Sequence, residues 1–338
     1  MGERGSCRAG AAMIRQEPHP PHPTEQPKHR TELHFMASVT QDLFAKGLIK
    51  PPRFVPANMI YETIMGSQAY GVSSDSSDRD VYGVCIPPKA DIFPHLDGKI
   101  PGFGKPHEPF ENYQQSHVRD GHLNDSHAAE YDLSIYGIVR YFALCMEGNP
   151  NMLDSLFTAQ DCVLHVTAVG TLIRESRQHF LHKGCWPKFK GYAYATMHKM
   201  RTKNPIGKRR ELVDQYGFDV KYAYHIVRLL NECEQILTHR DIDLRLNREQ
   251  LKAIRRGEMN EEEIFAWASD KERHLETLYH ESKLPNGPDQ GFLRDLLLRC
   301  LEEHFGNLGN CIVSPEAATT ALKGIQSILD QFHKSADL

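Results

Sequence analysis

Two aspartates set two residues apart, in Asp78-Arg79-Asp80-Val81-Tyr82-Gly83-Val84, open a segment whose apolar run to Ile86 reads as a β-strand. Side chains alternate along a strand, so both carboxylates fall on the same face. Two such groups repel unless a cation lies between them. Magnesium suits the arrangement, and manganese is equivalent here, because few carboxylates and the phosphates of a substrate complete its oxygen shell. A third carboxylate from a neighbouring strand would let two ions clamp an in-line phosphoryl displacement. Asp132 is the first choice, opening the strand-like run Tyr131–Tyr136 with Leu133 and Ile135 as inward apolar companions; Glu130 has the same parity and is the reserve. The third acid would help to deprotonate and position the attacking hydroxyl.

Gly66-Ser67 closes the preceding strand-like run, Met59 to Met65. A glycine between a strand and a helix start lets backbone come close to a phosphate. The serine hydroxyl and nearby N–H groups can then hold terminal phosphates of a nucleotide. The Ser/Asp-rich loop Ser73–Ser77 brings the aspartate strand alongside. Alone, an Asp-x-Asp pair is common on solvated strands, and a Gly-Ser pair says even less. Together, in order, with ten residues between Ser67 and Asp78 and a strand on each side, they point to a site.

Downstream, Lys221 and His225 stand i,i+4 on an expected helix with Arg228 three further on, so the three share a face. Such a cationic stripe would neutralise charge on a leaving pyrophosphate; the alternative is a solvated face. Between Lys183 and Arg210 lie nine lysines and arginines and no acid, with Trp186, Phe189, Tyr192 and Tyr194 interleaved. A nucleic-acid strand favours such a cluster, as does an ordinary basic helix whose aromatics are core. The histidines at 95, 107, 117, 122 and 127 show no compact metal-ligand spacing. Asn149-Pro150-Asn151 reads as a helix cap.

The elements that position these residues are a short helix at Val39–Leu48, then the strands at 59–65, 81–86 and 131–136. A polar insertion at 88–130 separates the last two, and the chain from Ile138 onward has helical periodicity. Further helices are expected at 166–181, 188–200, 209–215, 218–238, 248–256, 260–282, 289–303 and 314–334. The fold class is therefore α+β: a small mixed sheet followed by a helical domain. The expected division is a disordered Pro- and His-rich tail over 1–35, a core over 36–160 and a helical domain over 161–338, with Met36 a second candidate start. The net charge of −4 in 338 residues does not predict general nucleic-acid affinity. No apolar run approaches a membrane span, and the first thirty residues lack a signal-peptide apolar region. Eight scattered cysteines without C-x-x-C spacing imply reduced thiols and a cytoplasmic setting.

The order apolar-Gly66-Ser67, a ten-residue gap, then Asp78-x-Asp80 resembles the signature of DNA polymerase beta-like nucleotidyltransferases. The segments Gly66–Gly71, Asp78–Val84, Gly148–Asn151, Lys190–Ala193 and Tyr216–His225 resemble one subfamily within them, the predicted nucleotidyltransferases associated with RNA-repair operons. The resemblance spans roughly Met59 to Pro288. It implies a polymerase beta-like core, a nucleoside triphosphate substrate and Asp78, Asp80 and Asp132 as catalytic acids that hold divalent metal. It also tips Gly66, Ser67, Lys221, His225 and Arg228 toward nucleotide binding. RNA is the favoured acceptor and a protein hydroxyl the second. A rival class is a non-catalytic, antitoxin-like nucleotide-binding protein; the presence of all three acids disfavours it.

Overall fold

The computed structural model describes residues 38–73, 79–93, 109–121, 129–306 and 322–326 of the chain. Within them, α1 (Val39–Ala45) and α2 (Phe54–Ala57) lead into β1 (Met59–Ile64), the short α3 (Gly66–Ala69), β2 (Arg79–Cys85) and α4 (Lys89–Ile92). β3 (Asn112–Asp120) and β4 (Ala129–Gly137) follow, then α5 (Ile138–Met146), α6 (Pro150–Phe157) and β5 (Val163–Val166). The rest is helical: α7 (Ala168–Glu175), α8 (Cys185–Thr202), α9 (Lys208–Tyr216), α10 (Val220–His239), α11 (Arg248–Arg255), α12 (Glu261–Glu281) and α13 (Gln290–Phe305). The expected helix at 314–334 falls mostly outside the described residues, of which 322–326 are helical.

The strands form one mixed sheet in the order β3-β4-β2-β1-β5. β1 lies antiparallel to β2 and β5, β3 antiparallel to β4, and β2 parallel to β4. A parallel pair needs a crossover, and the chain between β2 and β4 makes it, spending part of its length on the edge strand β3. Sequence patterning missed β3 because only Val118 and Tyr113 of it meet the core; its remaining side chains are polar and mostly exposed. β5 was missed as well. Four residues are too few for alternation to register, and the strand lies beyond the expected boundary at 160.

The two faces of the sheet meet different partners. Val81, Leu133, Tyr131 and Val118 pack with Leu43 and Ile49, while Cys85 and Ile135 pack with Val55 and Met59. On the other face Val84 and Tyr136 join a continuous core that runs through Tyr141, Phe180, Trp186, Phe189, Ile226 and Leu230 to Leu296. Leu133 and Ile135 are thus not companions of Asp132; strand alternation sends them to the face behind it. Helix ends follow local chemistry: Asn149 caps α6 with Pro150 in its first turn, Asp219 caps α10, and Asn260 with Glu263 forms a capping box on α12. Among the described residues no helix is long and apolar enough to cross a membrane. The six described cysteines are all free and buried.

Candidate active site

β2 and β4 run parallel in a register that sets Asp80 directly beside Asp132. Neighbouring strands lie about 4.8 Å apart, and paired residues project from the same face, so the two carboxylates are lateral neighbours. Alternation is visible in the residue between the aspartates of the motif. Arg79 turns the opposite way, its guanidinium donating to the Tyr131 hydroxyl at 3.1 Å above that ring. The face that carries Asp80 and Asp132 is the one that continues through Tyr82 and Tyr136, whose rings lie 6.2 Å apart, toward the helices. Asp78 lies outside the described residues.

Gly66 closes against Asp80. Its φ is +64°, a left-handed conformation that favours glycine. A Cβ built there would sit 3.0 Å from the Asp80 Cγ and closer still to Oδ2. The Met65 N–H donates to the Asp80 carbonyl at 2.7 Å, tying the two motifs together through the main chain. The glycine therefore makes room for the Asp80 carboxylate as well as for the turn. Ser67 follows it, half-buried.

Asp132 is held from the other side. The His117 N–H donates to its Oδ1 at 2.8 Å, and the His117 imidazole lies 2.6 Å from Glu130. Glu130, the reserve acid, also meets Arg119 at 3.5 Å. The His117 contact, with Arg119 adding, holds the Glu130 carboxyl below its ordinary range. Among the described residues no three His, Cys, Asp or Glu side chains converge as a metal site; the expected third member, Asp78, is not among those residues.

α10 closes the site from the helical side, and its expected cationic stripe is only partly present. Lys221 is exposed. His225 is half-buried, and burial pushes its imidazole down to about 3, with Arg228, Arg209, Lys221 and Arg255 adding repulsion. It is neutral at physiological pH rather than a third cation of the stripe. Arg228 is buried and is not a surface cation. Its guanidinium bonds Asp154, reaches Glu232 at 3.1 Å and lies 4.4 Å above the Tyr70 ring. Tyr70 in turn donates to Asp154 at 2.8 Å. Burial pushes both acids up, against the Arg228 charge, which lowers both. Arg228 thus supports from beneath the segment Gly66–Gly71, to which Tyr70 belongs. The helical spacing was correct; the shared face runs from exposed Lys221 in the first turn of α10 to buried Arg228 two turns further along.

Two cations from other elements nonetheless reach α10. Arg255 bonds the Val72 carbonyl and lies 5.6 Å from the Tyr224 ring, and Arg209 covers Tyr222 at 4.0 Å. Tyr224 feels both Arg255 and Asp80, and burial first, then Tyr136 and Asp80, raise the Tyr82 hydroxyl. One helix therefore looks at once toward the carboxylate face and toward a set of cations. Arg209 belonged to the basic cluster and Arg255 to no motif; the placement of either beside α10 was not legible in sequence.

The basic cluster divides. Trp186 and Phe189 are buried, while Tyr192 and Tyr194 are exposed. Among the described residues, acids from elsewhere in the chain meet four of the nine cations: Glu147 meets Lys188, Glu272 and Glu276 meet Lys190, Asp219 meets Arg209 and Asp214 meets Arg210. The Lys208 side chain is outside the described atoms. Arg201, Lys203 and Arg210 border a cleft of about 510 Å³ together with Tyr222, Phe265, Asp219, Glu261 and Glu262. Its charge is balanced, three cations against three carboxylates.

A mixed sheet with an acidic parallel strand pair on one face, glycine-tight against the preceding turn and backed by helices, is the architecture of a polymerase beta-like core with a helical region. The chain belongs to the RNA repair pathway DNA polymerase beta family, whose model matches residues 53–299. No curated protein matches the chain significantly.

Proposed function

We propose that the protein is a metal-dependent nucleotidyltransferase that moves a nucleoside monophosphate from a nucleoside triphosphate to an acceptor hydroxyl, releasing pyrophosphate. One observation carries this reading: Asp80 and Asp132 stand side by side on a parallel strand pair, with Gly66 shaped around Asp80. Their oxygens are the hard donors that magnesium or manganese takes. Asp78, Asp80 and Asp132 would hold the metal, which on binding would neutralise phosphate charge and make the acceptor hydroxyl more acidic.

The chain's own groups have separate tasks in this scheme. Gly66 and Ser67 seat the phosphates beside Asp80. Lys221, at the exposed end of α10, and the neutral His225 next to it meet the departing pyrophosphate. Arg228 acts indirectly, through Tyr70. Asp132 orients the acceptor hydroxyl and accepts its proton as the new oxygen–phosphorus bond forms at the α-phosphorus. The bond to the β-phosphate oxygen breaks, and pyrophosphate carries that electron pair away.

An RNA end is the favoured acceptor, supported by the family's description and by the exposed Arg201, Lys203 and Tyr194. The second reading is a protein hydroxyl, favoured by the balanced charge of the cleft beside α10. The full chain incubated with labelled nucleoside triphosphates, magnesium and either RNA or a cell lysate separates the two on gels. Asp78→Ala/Asp80→Ala should bring pyrophosphate release to background, with circular dichroism unchanged. Retained turnover in that variant refutes the mechanism, and nucleotide uptake without any pyrophosphate release from the parent protein supports a non-catalytic binder.

A further inference from the structure

The edge strand β3 is irregular at one point, and that point faces the third acid. Gln115 pairs with Leu133 and Val118 with Tyr131, so two residues, Ser116 and His117, stand opposite the single residue Asp132. This is a β-bulge, a device that re-aims groups next to functional sites. Within it His117 adopts φ +58°. Only His117 and Arg240 among the described non-glycine residues do so, and the conformation is costly for a residue with a Cβ. The imidazole is largely exposed, so burial of the ring does not explain the strain. What the turn does achieve is to direct the His117 N–H at Asp132 Oδ1, 2.8 Å away. The other oxygen, Oδ2, makes no hydrogen bond among the described residues.

We propose that His117 is a positioning residue: its main-chain N–H, turned by the bulge, fixes the Asp132 carboxylate with Oδ1 committed and Oδ2 presented to the reacting groups. The backbone amide does this; the imidazole is not the operative group. A side-chain partner would have brought a rotamer of its own, whereas an amide held by the sheet supplies a fixed donor. Neighbours that orient metal-ligating carboxylates are typically worth about 10–100-fold in metal affinity or activity. The inference rests on the reading of Asp132 as the third catalytic acid.

The test compares His117→Val with His117→Gly in the full chain. Valine resists positive φ and so disfavours the bulge, while glycine adopts it freely and keeps the N–H. Expected for His117→Val is a loss of about 10–100-fold in manganese affinity by calorimetry and in kcat for pyrophosphate release, with KM for the triphosphate little changed. His117→Gly should rescue both to within about threefold of the parent. Equal values in His117→Val and the parent would overturn the proposal, as would a glycine variant as impaired as the valine one. Amide hydrogen exchange gives a reading independent of activity and of the valine variant's folding. In Asp132→Ala the His117 amide should exchange at least about tenfold faster than in the parent, and an unchanged rate would overturn the proposal. Asp132→Asn separates the two levels. If it leaves manganese affinity and turnover intact, the role of Asp132 fails and takes the proposal with it; if it abolishes them while His117→Val does not, only the role of His117 fails.

Discussion

Replacing Gly66 by alanine tests whether the first motif is shaped around the second. Two costs are separable. A residue with a Cβ at φ +64° costs about 1–2 kcal/mol. The added Cβ also reaches within 3.0 Å of the Asp80 Cγ, so the carboxylate must leave its rotamer at about 0.5–1.5 kcal/mol. The sum is about 1.5–3.5 kcal/mol. The Asp80 Cβ lies at 3.5 Å, an ordinary contact, so truncation at that atom removes the second cost and leaves the first. Gly66→Ala should therefore cost about 1–2 kcal/mol in an Asp80→Ala background, a coupling of about 1 kcal/mol. Urea unfolding of the four proteins, with slopes compared to confirm that the unfolded states match, measures the coupling directly. In the Asp80 protein the same substitution should also weaken manganese binding, because the carboxylate is displaced. If Gly66→Ala costs the same in both backgrounds, Asp80 does not lie against Gly66 and the convergence of the two motifs is wrong.

Two other predictions concern the support from α10. Arg228→Met leaves Asp154 and Glu232 buried without their cation and should destabilise the fold by about 3–5 kcal/mol in urea unfolding. Adding Asp154→Asn and Glu232→Gln should recover a large part of that loss; no recovery would mean the cost is one of packing. His225 makes stability depend on pH. Its imidazole in the fold is held down to about 3, by burial first and then by Arg228, Arg209, Lys221 and Arg255, whereas in the unfolded chain it titrates near 6.5. Between those values the unfolded state binds the extra proton, so the contribution is fully present above about pH 6.5 and is lost as pH falls toward 3. Urea midpoints of the parent and His225→Gln, measured from pH 7.5 to 4.5, should converge at the acidic end. A difference independent of pH would show that His225 is not held neutral.

The local chemistry of the site was legible because it is written in short spacings. Asp80 and Asp132 could be placed on strands because alternation is a property of the chain, and Gly66 could be singled out because it stands between a strand and a helix start; its left-handed φ was visible only in the structure. The helices were legible from their apolar periodicity and the breaks between them; α10 and α12 fall within two residues of the expected 218–238 and 260–282. Where patterning failed, the reason was physical: β3 hides behind polar, exposed residues, and β5 is too short to show a period.

Sequence alone determined which residue types lie on which local face, because that follows from backbone geometry within a few residues. It could not determine the register that sets Asp80 beside Asp132, since β2 and β4 meet only through a crossover of more than forty residues. Nor could it show that the face of α10 shared by Lys221 and Arg228 is exposed at the first and buried at the second, or that Asp219, Glu147 and Glu272 neutralise cations in a stretch containing no acid of its own. Those outcomes depend on charges and side chains brought together from distant parts of the chain, and only tertiary packing selects which of them meet.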